Sequence, residues 1–240
     1  MLTPRKNDLI AQLPEEDYQR ILPHLELRGL RKGELLFDLG ERIEHVYFPI
    51  DSTISLVVEM SDGYAAEMAL VGAHSMASIT ALADGLSYHR AVVRTQGFAY
   101  RLKATLLREE YQRAGGLMRI LLLCGKHLMA QMSYSSICVR RHNVDQQLVR
   151  WLLQSADNTE RLVFPVTHDD IAGMIGVRRE AVTLSVQRLA AGGLIASSRG
   201  QLEVIDRKGL EDRACDCYWA VRRLAPYVSG SLFLDFSRAA

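Results

Sequence analysis

Between Thr167 and Leu189 the chain reads THDDIAGMIGVRREAVTLSVQRL, and its apolar positions recur at helical spacing in two short blocks. Ile171 and Ile175 lie four apart and share one face, while Thr167 followed three residues later by Asp170 approximates a capping box. Asp169 and Asp170 also suit the positive end of a helix dipole. Gly176 stands where a sharp turn needs a residue tolerant of positive φ, which puts the turn at Gly176-Val177. A second helix is predicted over 178–191, with Val182, Val186 and Leu189 as its buried stripe and Gly192-Gly193 as its stop. After it, apolar Leu194 to Ala196, a Ser-Ser-Arg-Gly turn at 197–200 and the alternating run Gln201 to Ile205 predict a β-hairpin. Two short helices followed by a hairpin make a winged helix-turn-helix.

Upstream the period changes. Asn7 to His24 reads as helical with a break at Pro14. From Leu25 to about Leu102 come short alternating runs punctuated by glycine, including Leu35 to Phe37, Val46 to Phe48, Ile54 to Val58, Ala66 to Val71 and Ala91 to Val93. With Asp62-Gly63 as a hairpin turn, these runs predict an antiparallel barrel or roll whose core takes Phe37, Val46, Phe48, Ile54, Leu56, Met68, Val71, Val92 and Phe98. A short helix is expected over Leu102 to Tyr111, and one long helix from Gly116. On it Leu117, Leu121, Cys124, Leu128, Gln131, Ser135 and Cys138 fall on a 4-3 alternation, the seam of a two-stranded coiled coil. An identical helix is the simplest partner, giving a two-fold homodimer; the same face also suits packing on the roll of its own chain.

Asn143 interrupts the long helix, so 140–143 reads as a hinge. Val144, Leu148, Trp151 and Leu152 then form the stripe of the next helix, and Leu162 to Val166 supplies a short strand. Gly209 to Leu224 is predicted as one helix carrying Tyr218 and Trp219, ahead of an apolar tail with Phe233 and Phe236. The fold class is therefore α+β: an antiparallel roll over 1–115, a dimerisation helix and hinge over 116–142, and a winged helix-turn-helix with its tail over 143–240.

The second helix of the motif presents Glu180, Leu184, Gln187 and Arg188 away from its stripe, with Arg179 and Thr183 at the flanks. Arginine pairs bidentately with guanine N7 and O6, and glutamate accepts from cytosine N4, so Arg179-Glu180 at the N-terminal end suits base readout from a major groove. Ser198 and Arg199 at the wing tip suit phosphate contacts, which position a protein on the duplex without reading sequence, and Thr167 and Arg178 are further candidates for DNA contact. The net charge of +1 over 240 residues is low for a nucleic-acid binder, but only the local field at the phosphates governs counterion release. An enzyme is disfavoured. There is no phosphate-cradling glycine loop, no His-Glu-His metal helix and no Ser or Cys in a nucleophile motif, and His127, His142 and His168 read as structural.

The opening MLTPRKNDLIAQLPEED breaks any signal-peptide core with charges and a proline, and no later run approaches the about 20 apolar residues of a membrane span. A cytoplasmic protein without membrane contact is expected. Its four cysteines, Cys124, Cys138, Cys215 and Cys217, fit reduced thiols. Cys215-Asp216-Cys217 lacks a second nearby Cys or His pair in sequence, so these read as packing residues or idle thiols with no metal site.

The stretch THDDIAGMIGVRREAVTLSVQRL with GGLIASSRGQLEVIDRKGL resembles the DNA-binding domain of the Crp/Fnr superfamily of bacterial transcription factors. RKGELLFDLGERIEHVYFPIDSTISLV and DGYAAEMALVG resemble that family's cyclic-nucleotide-binding β-roll, so the resemblance covers nearly the whole chain. It implies that Arg179 and Glu180 match the family's base-contacting pair, that Ser133, Ser135 or Ser136 reports ligand across the long helix, and that RNA polymerase is a further partner. This chain departs from the pattern in having Leu184 where a second arginine is frequent and Arg178 where a Ser or Thr cap is frequent. In the roll, Gly72 is kept, Ala73 replaces the ribose-binding glutamate, and His89 stands at the phosphate-binding arginine's place with Arg90 one position on. The resemblance therefore implies no cyclic AMP binding in the usual manner. What remains open is a different anionic effector held by His89 and Arg90, with Gly72 and Ser133 nearby, or no small molecule at all. No cofactor is expected: the iron-sulfur members carry an N-terminal cysteine cluster, whereas no cysteine precedes Cys124, and His74 reads as a loop residue and not a haem ligand. A module that binds a small molecule and acts through protein contacts is the alternative.

Overall fold

The computed structural model describes residues 2–63, 65–159 and 161–225; the apolar tail with Phe233 and Phe236 lies outside them. Two short helices, α1 (Asp8–Ala11) and α2 (Glu15–Ile21), open the chain, parted by Pro14. Asn7 anchors them. Its side chain caps α1 by accepting from Leu9 N and Ile10 N, and donates to Pro49 O at 2.9 Å and Ser75 O at 3.0 Å inside the roll.

The roll is built from β1 (Glu26–Leu30), β2 (Leu35–Phe37), β3 (His45–Pro49), β4 (Thr53–Glu59), β5 (Ala65–Val71), β6 (Arg90–Thr95) and β7 (Gly97–Lys103). Two antiparallel sheets result, in the orders β1-β7-β3 and β2-β6-β4-β5. Gly63, at φ 84°, makes the turn between β4 and β5 that the Asp-Gly pair predicts. Phe37, Val46, Phe48, Ile54, Leu56 and Val71 are buried. Three of the expected core residues are not: Met68 and Val92 are half-buried, and Phe98 is 39% exposed. In β6 the pleat puts Ala91 and Val93 inward and Val92 on the other face, since a one-residue error of phase in a strand sends a side chain to the opposite face, while in β7 Ala99, Tyr100 and Leu102 are the buried residues.

After α3 (Ala104–Gln112) comes α4 (Gly116–Arg141), the longest element. Its expected subunit seam is a correction. Leu117, Leu121, Cys124, Leu128 and Gln131 are all buried within their own chain, in or against the roll's core cluster. Gln131 behaves as an extra strand partner: its amide accepts from Leu70 N at 3.1 Å and donates to Leu70 O at 3.2 Å on β5. Ser135 accepts from Arg150 Nη1 at 3.0 Å, and Cys138 is fully buried against the C-terminal helices. The six buried side chains have little surface left for a partner, and Ser135 is half-buried. The opposite side of α4 is the exposed one, with Leu122 at 55% and Met129 at 70%.

The C-terminal half comprises α5 (Val144–Thr159), β8 (Val163–Phe164), α6 (His168–Ile175), α7 (Arg179–Ala191), β9 (Ile195–Ser198), β10 (Gln201–Val204), α8 (Arg207–Arg213) and α9 (Asp216–Arg223). Its own core gathers Leu148, Trp151, Leu152, Phe164, Ile171, Val182, Val186, Leu189, Leu202, Leu210 and Tyr218. The single helix expected over 209–224 is two. Ala214 and Cys215 take extended backbone angles, so the chain breaks after Arg213 and restarts with Cys215 as the cap of α9. The roll and this half meet through Lys32 Nζ donating to Pro165 O at 2.5 Å, His74 Nε2 lying 2.9 Å from Asp157 O, and β5 packed on α6.

Burial holds His89 and His127 well below the ordinary histidine value of 6.5, each at about 4. Between those two values the unfolded chain takes up protons that the folded chain refuses. Stability is therefore expected to be complete above about pH 6.5 and to decline as pH falls toward 4. Urea midpoints measured against pH check this, and His89→Leu should flatten the decline.

Candidate nucleic-acid interface

Thr167 ends an extended segment at φ −92°, ψ 162° and turns the chain into α6. Its hydroxyl accepts from Asp170 N at 3.1 Å while Thr167 N donates to Asp170 Oδ2 at 3.0 Å, so the two first-turn donors that a helix start leaves open are satisfied reciprocally. The amide bonds to Asp170 outweigh its partial burial and hold that carboxyl below its usual range. At the other end Gly176, at φ 70° and ψ 39°, takes the left-handed conformation that closes α6. Thr167 thus spends its hydroxyl on the cap, and remains exposed.

The second helix is fixed from three directions. Val182, Val186 and Leu189 are buried in the core of the C-terminal half. Thr183 Oγ1 donates to Arg179 O at 3.1 Å and lies 3.0 Å from His168 Nδ1, tying α7 to the start of α6. Arg188 forms a bidentate pair with Asp145 at the start of α5, through Nε at 2.8 Å and Nη2 at 2.6 Å. That pair keeps the Asp145 carboxyl low and the Arg188 guanidinium high. Arg188 is exposed, as expected of the outward face, and is tied there to α5; the sequence gives no sign of a partner 43 residues away.

What stays clear is the N-terminal end. Arg178 caps α7 by its extended backbone with no side-chain cap bond, and Arg178, Arg179 and Glu180 are exposed without a side-chain hydrogen bond or ion pair among the described residues. Leu184, 55% exposed, and Gln187 continue the same outer face. The hairpin is a three-stranded sheet in the order β8-β10-β9, its tip formed by Ser198, Arg199 and Gly200, all exposed, with Gly200 at φ 73°. The helix end and the wing tip therefore offer guanidinium and amide donors with no side-chain partner among the described residues.

The four residues expected to hold an effector are dispersed. Gly72 packs against the end of α5, where a Cβ would collide with Asn158. His89 is 3% exposed between the rings of Phe37 and Tyr88, and neither ring nitrogen has a partner. Arg90 is paired with Glu59 and lies 3.2 Å from Asp38, in a cleft of about 540 Å³ that already holds those two carboxylates. Ser133 is exposed on α4. An anion at Arg90 would face two like charges, so the anionic-effector reading of His89 and Arg90 does not survive.

Replacing Thr167 by alanine removes half of the reciprocal cap and should cost about 1 kcal/mol, read as a lower denaturation midpoint that Thr167→Ser largely restores. An unchanged midpoint in the alanine variant would mean that water satisfies the helix start equally well.

Residues 146–213 match the family model of the Crp-like helix-turn-helix domain. A stretch of 54 residues is 39% identical to transcriptional regulator SdrP of Thermus thermophilus, covering 22% of this chain and 27% of that protein. The chain thus aligns with about a quarter of that curated relative's length. Among solved structures, the c-di-GMP responsive global regulator CLP of Xanthomonas campestris matches with a TM-score of 0.65 at 16% identity, over 80% of this chain and 99% of that one. A transcriptional regulator of the CRP family from Thermus thermophilus matches at 0.64 with 21% identity, over 78% and 96%. At such identities the likeness is one of fold, and it extends across both halves of the chain. Residues 146–213 thus match a Crp-like helix-turn-helix domain, and the fold across both halves of the chain is that of these solved regulators.

Proposed function

We propose that the protein is a sequence-specific, homodimeric DNA-binding regulator of transcription, acting in the cytoplasm on a pseudo-palindromic operator. Two copies of α7 enter successive major grooves roughly 34 Å apart, as two-fold symmetry requires of such readers. The observation that carries this reading is the Arg179-Glu180 pair, without a side-chain partner among the described residues, at the exposed start of a helix held by its inner stripe, by Thr183 and by Arg188. A rigid rod with free, directional donors and acceptors loses little conformational freedom on meeting base edges, whereas a floppy one loses more. Arg179 is assigned to guanine, Glu180 to cytosine, Leu184 and Gln187 to the bases one turn on, and Arg178, Ser198 and Arg199 to phosphates. No helix among the described residues is long and apolar enough to cross a membrane.

Dimerisation is assigned to the side of α4 that the roll leaves open. Met118, Leu122, Gly125, Met129, Met132, Ser136 and Val139 repeat at 4-3 spacing, the period of a coiled-coil seam; Leu122, Met129 and Val139 are at least half exposed, while Gly125 and Met132 sit at the edge where the row meets the roll. A second copy of the same helix satisfies both rows at once. The roll remains the sensory half. Its signal reaches the readers through the junction where β5, Ala73 and His74 touch α5 and α6, and shifts the relative orientation of the two recognition helices. A surface for RNA polymerase belongs to the same proposal.

Selection of bound fragments from random duplexes should return a two-fold symmetric motif. On that motif Arg179→Ala should lose about 1–3 kcal/mol and relax one base position per half-site, while Arg199→Ala weakens all sequences alike and lowers the salt dependence. Equal losses on specific and random DNA from both changes would remove the base-reading assignment. Met129→Glu should convert the dimer to monomers in sedimentation with the fold intact by circular dichroism; a dimer that survives that charge would move the interface elsewhere.

A further inference from the structure

The end of α4 and the start of α9 bring together four side chains with no role in the DNA reading. Cys138 and His142 lie one turn apart, His142 capping α4 with its N–H on Cys138 O. Cys215 and Cys217 come from the break between α8 and α9, the break that the uninterrupted helix expected from sequence would have erased. Cys138 Sγ is 3.8 Å from Cys215 Sγ, and Cys217 Sγ is 3.7 Å from His142 Nδ1. Every one of the four donor atoms lies within 4.8 Å of the others. Idle thiols separated by 77 residues have no reason to converge with an imidazole on one point, so the reading of these cysteines as packing residues, and of His142 as merely structural, is corrected.

The spacing selects the kind of occupant. A tetrahedral ion with metal–sulfur bonds of about 2.3 Å and a metal–nitrogen bond of about 2.0 Å sets its sulfur–sulfur edges at about 3.8 Å and its sulfur–nitrogen edges at about 3.5 Å. The observed sulfur–sulfur distance of 3.8 Å matches the first edge, and the sulfur–nitrogen distance of 3.7 Å lies close to the second. A set this compact closes around one ion and leaves no room for a multinuclear cluster. Three thiolates and a neutral imidazole are a soft, closed donor set of the sort that structural zinc takes, with no position left for water or substrate. The surroundings are suited to it: all three cysteines are at most 5% exposed, Tyr134 packs over them, and Arg150 lies close enough to act on Cys138 and Cys217 with its positive charge. With three thiolates a divalent ion leaves one net negative charge, which that guanidinium and the N–H end of α9 offset.

We propose that Cys138, His142, Cys215 and Cys217 form a Cys3His site for a single structural zinc ion that ties the last turn of the long helix to the C-terminal helix of the DNA-binding half. The ion would brace the hinge at 140–143, because Cys138 and His142 lie at the hinge while Cys215 and Cys217 come from the half beyond it. Cys124, buried beside Ser75 in the roll, is outside the site.

The test reads metal content without DNA, so its failure leaves the DNA reading standing. The full chain, produced in zinc-supplemented medium and purified anaerobically with reductant, should carry one zinc per chain by elemental analysis. Cobalt exchanged for zinc should give the intense visible absorption of a tetrahedral thiolate-bound ion. Cys217→Ser and His142→Ala should lose the stoichiometric ion, while Cys124→Ala keeps it. A folded wild-type protein with metal content near zero that takes up neither zinc nor cobalt overturns the proposal. So does a metal-free Cys138–Cys215 disulfide in the reduced preparation, seen as the loss of two hydrogens by mass, or retention of the ion by both ligand variants.

Discussion

The rod from Gly116 to Arg141 has two sides that want burial, and the roll can take only one. Leu117, Leu121, Cys124, Leu128 and Gln131 are committed to the chain's own core, and Gln131 goes further by bonding both polar groups of Leu70 on the edge strand β5. That commitment fixes how α4 is rotated about its axis, and rotation decides everything downstream. It determines which row of residues faces solvent, where Cys138 and His142 point at the far end, and at what angle α5 leaves the hinge. About 100° per residue separates neighbouring positions on the wheel, so a stripe displaced by one residue is a different surface.

The C-terminal half reaches a comparable rigidity by other means. Its recognition helix is pinned by a greasy stripe inward, by a threonine to the preceding helix and by an arginine-carboxylate fork to α5. The fork is partly exposed and contributes little to stability, but it sets geometry, since two parallel bonds allow one orientation of a planar guanidinium. Freedom is left at the helix's first residues and at the tip of the wing, the two places a duplex would meet.

The roll carries little of the phosphate-binding chemistry that the family resemblance implies. The position that would pair with a phosphate is a histidine sealed among aromatic rings, kept neutral by burial, and the neighbouring arginine is spent on Asp38 and Glu59. Gly72, kept from the sequence pattern, serves the packing of the roll on Asn158. The contacts that remain are mechanical, running through Lys32, Ala73 and His74 to the first helices of the DNA-binding half.

The elements that owe their shape to neighbours in sequence were legible without coordinates. The capping box of Thr167 and Asp170, the left-handed Gly176, the Asp-Gly hairpin and the length of α4 depend on backbone sterics and on hydrogen bonds spanning a few residues. Arg179 and Glu180 could be singled out because an exposed helix start needs no distant partner to be exposed. Tertiary structure alone decided which apolar row of α4 the roll buries, that Arg188 turns to Asp145, that Phe98 faces solvent, and that a cysteine pair near residue 216 meets a Cys-His pair near residue 140. Periodicity reports that a face is apolar but not what covers it. A side chain's partner across the chain is set by how whole elements pack, a sum over many contacts that no local pattern contains.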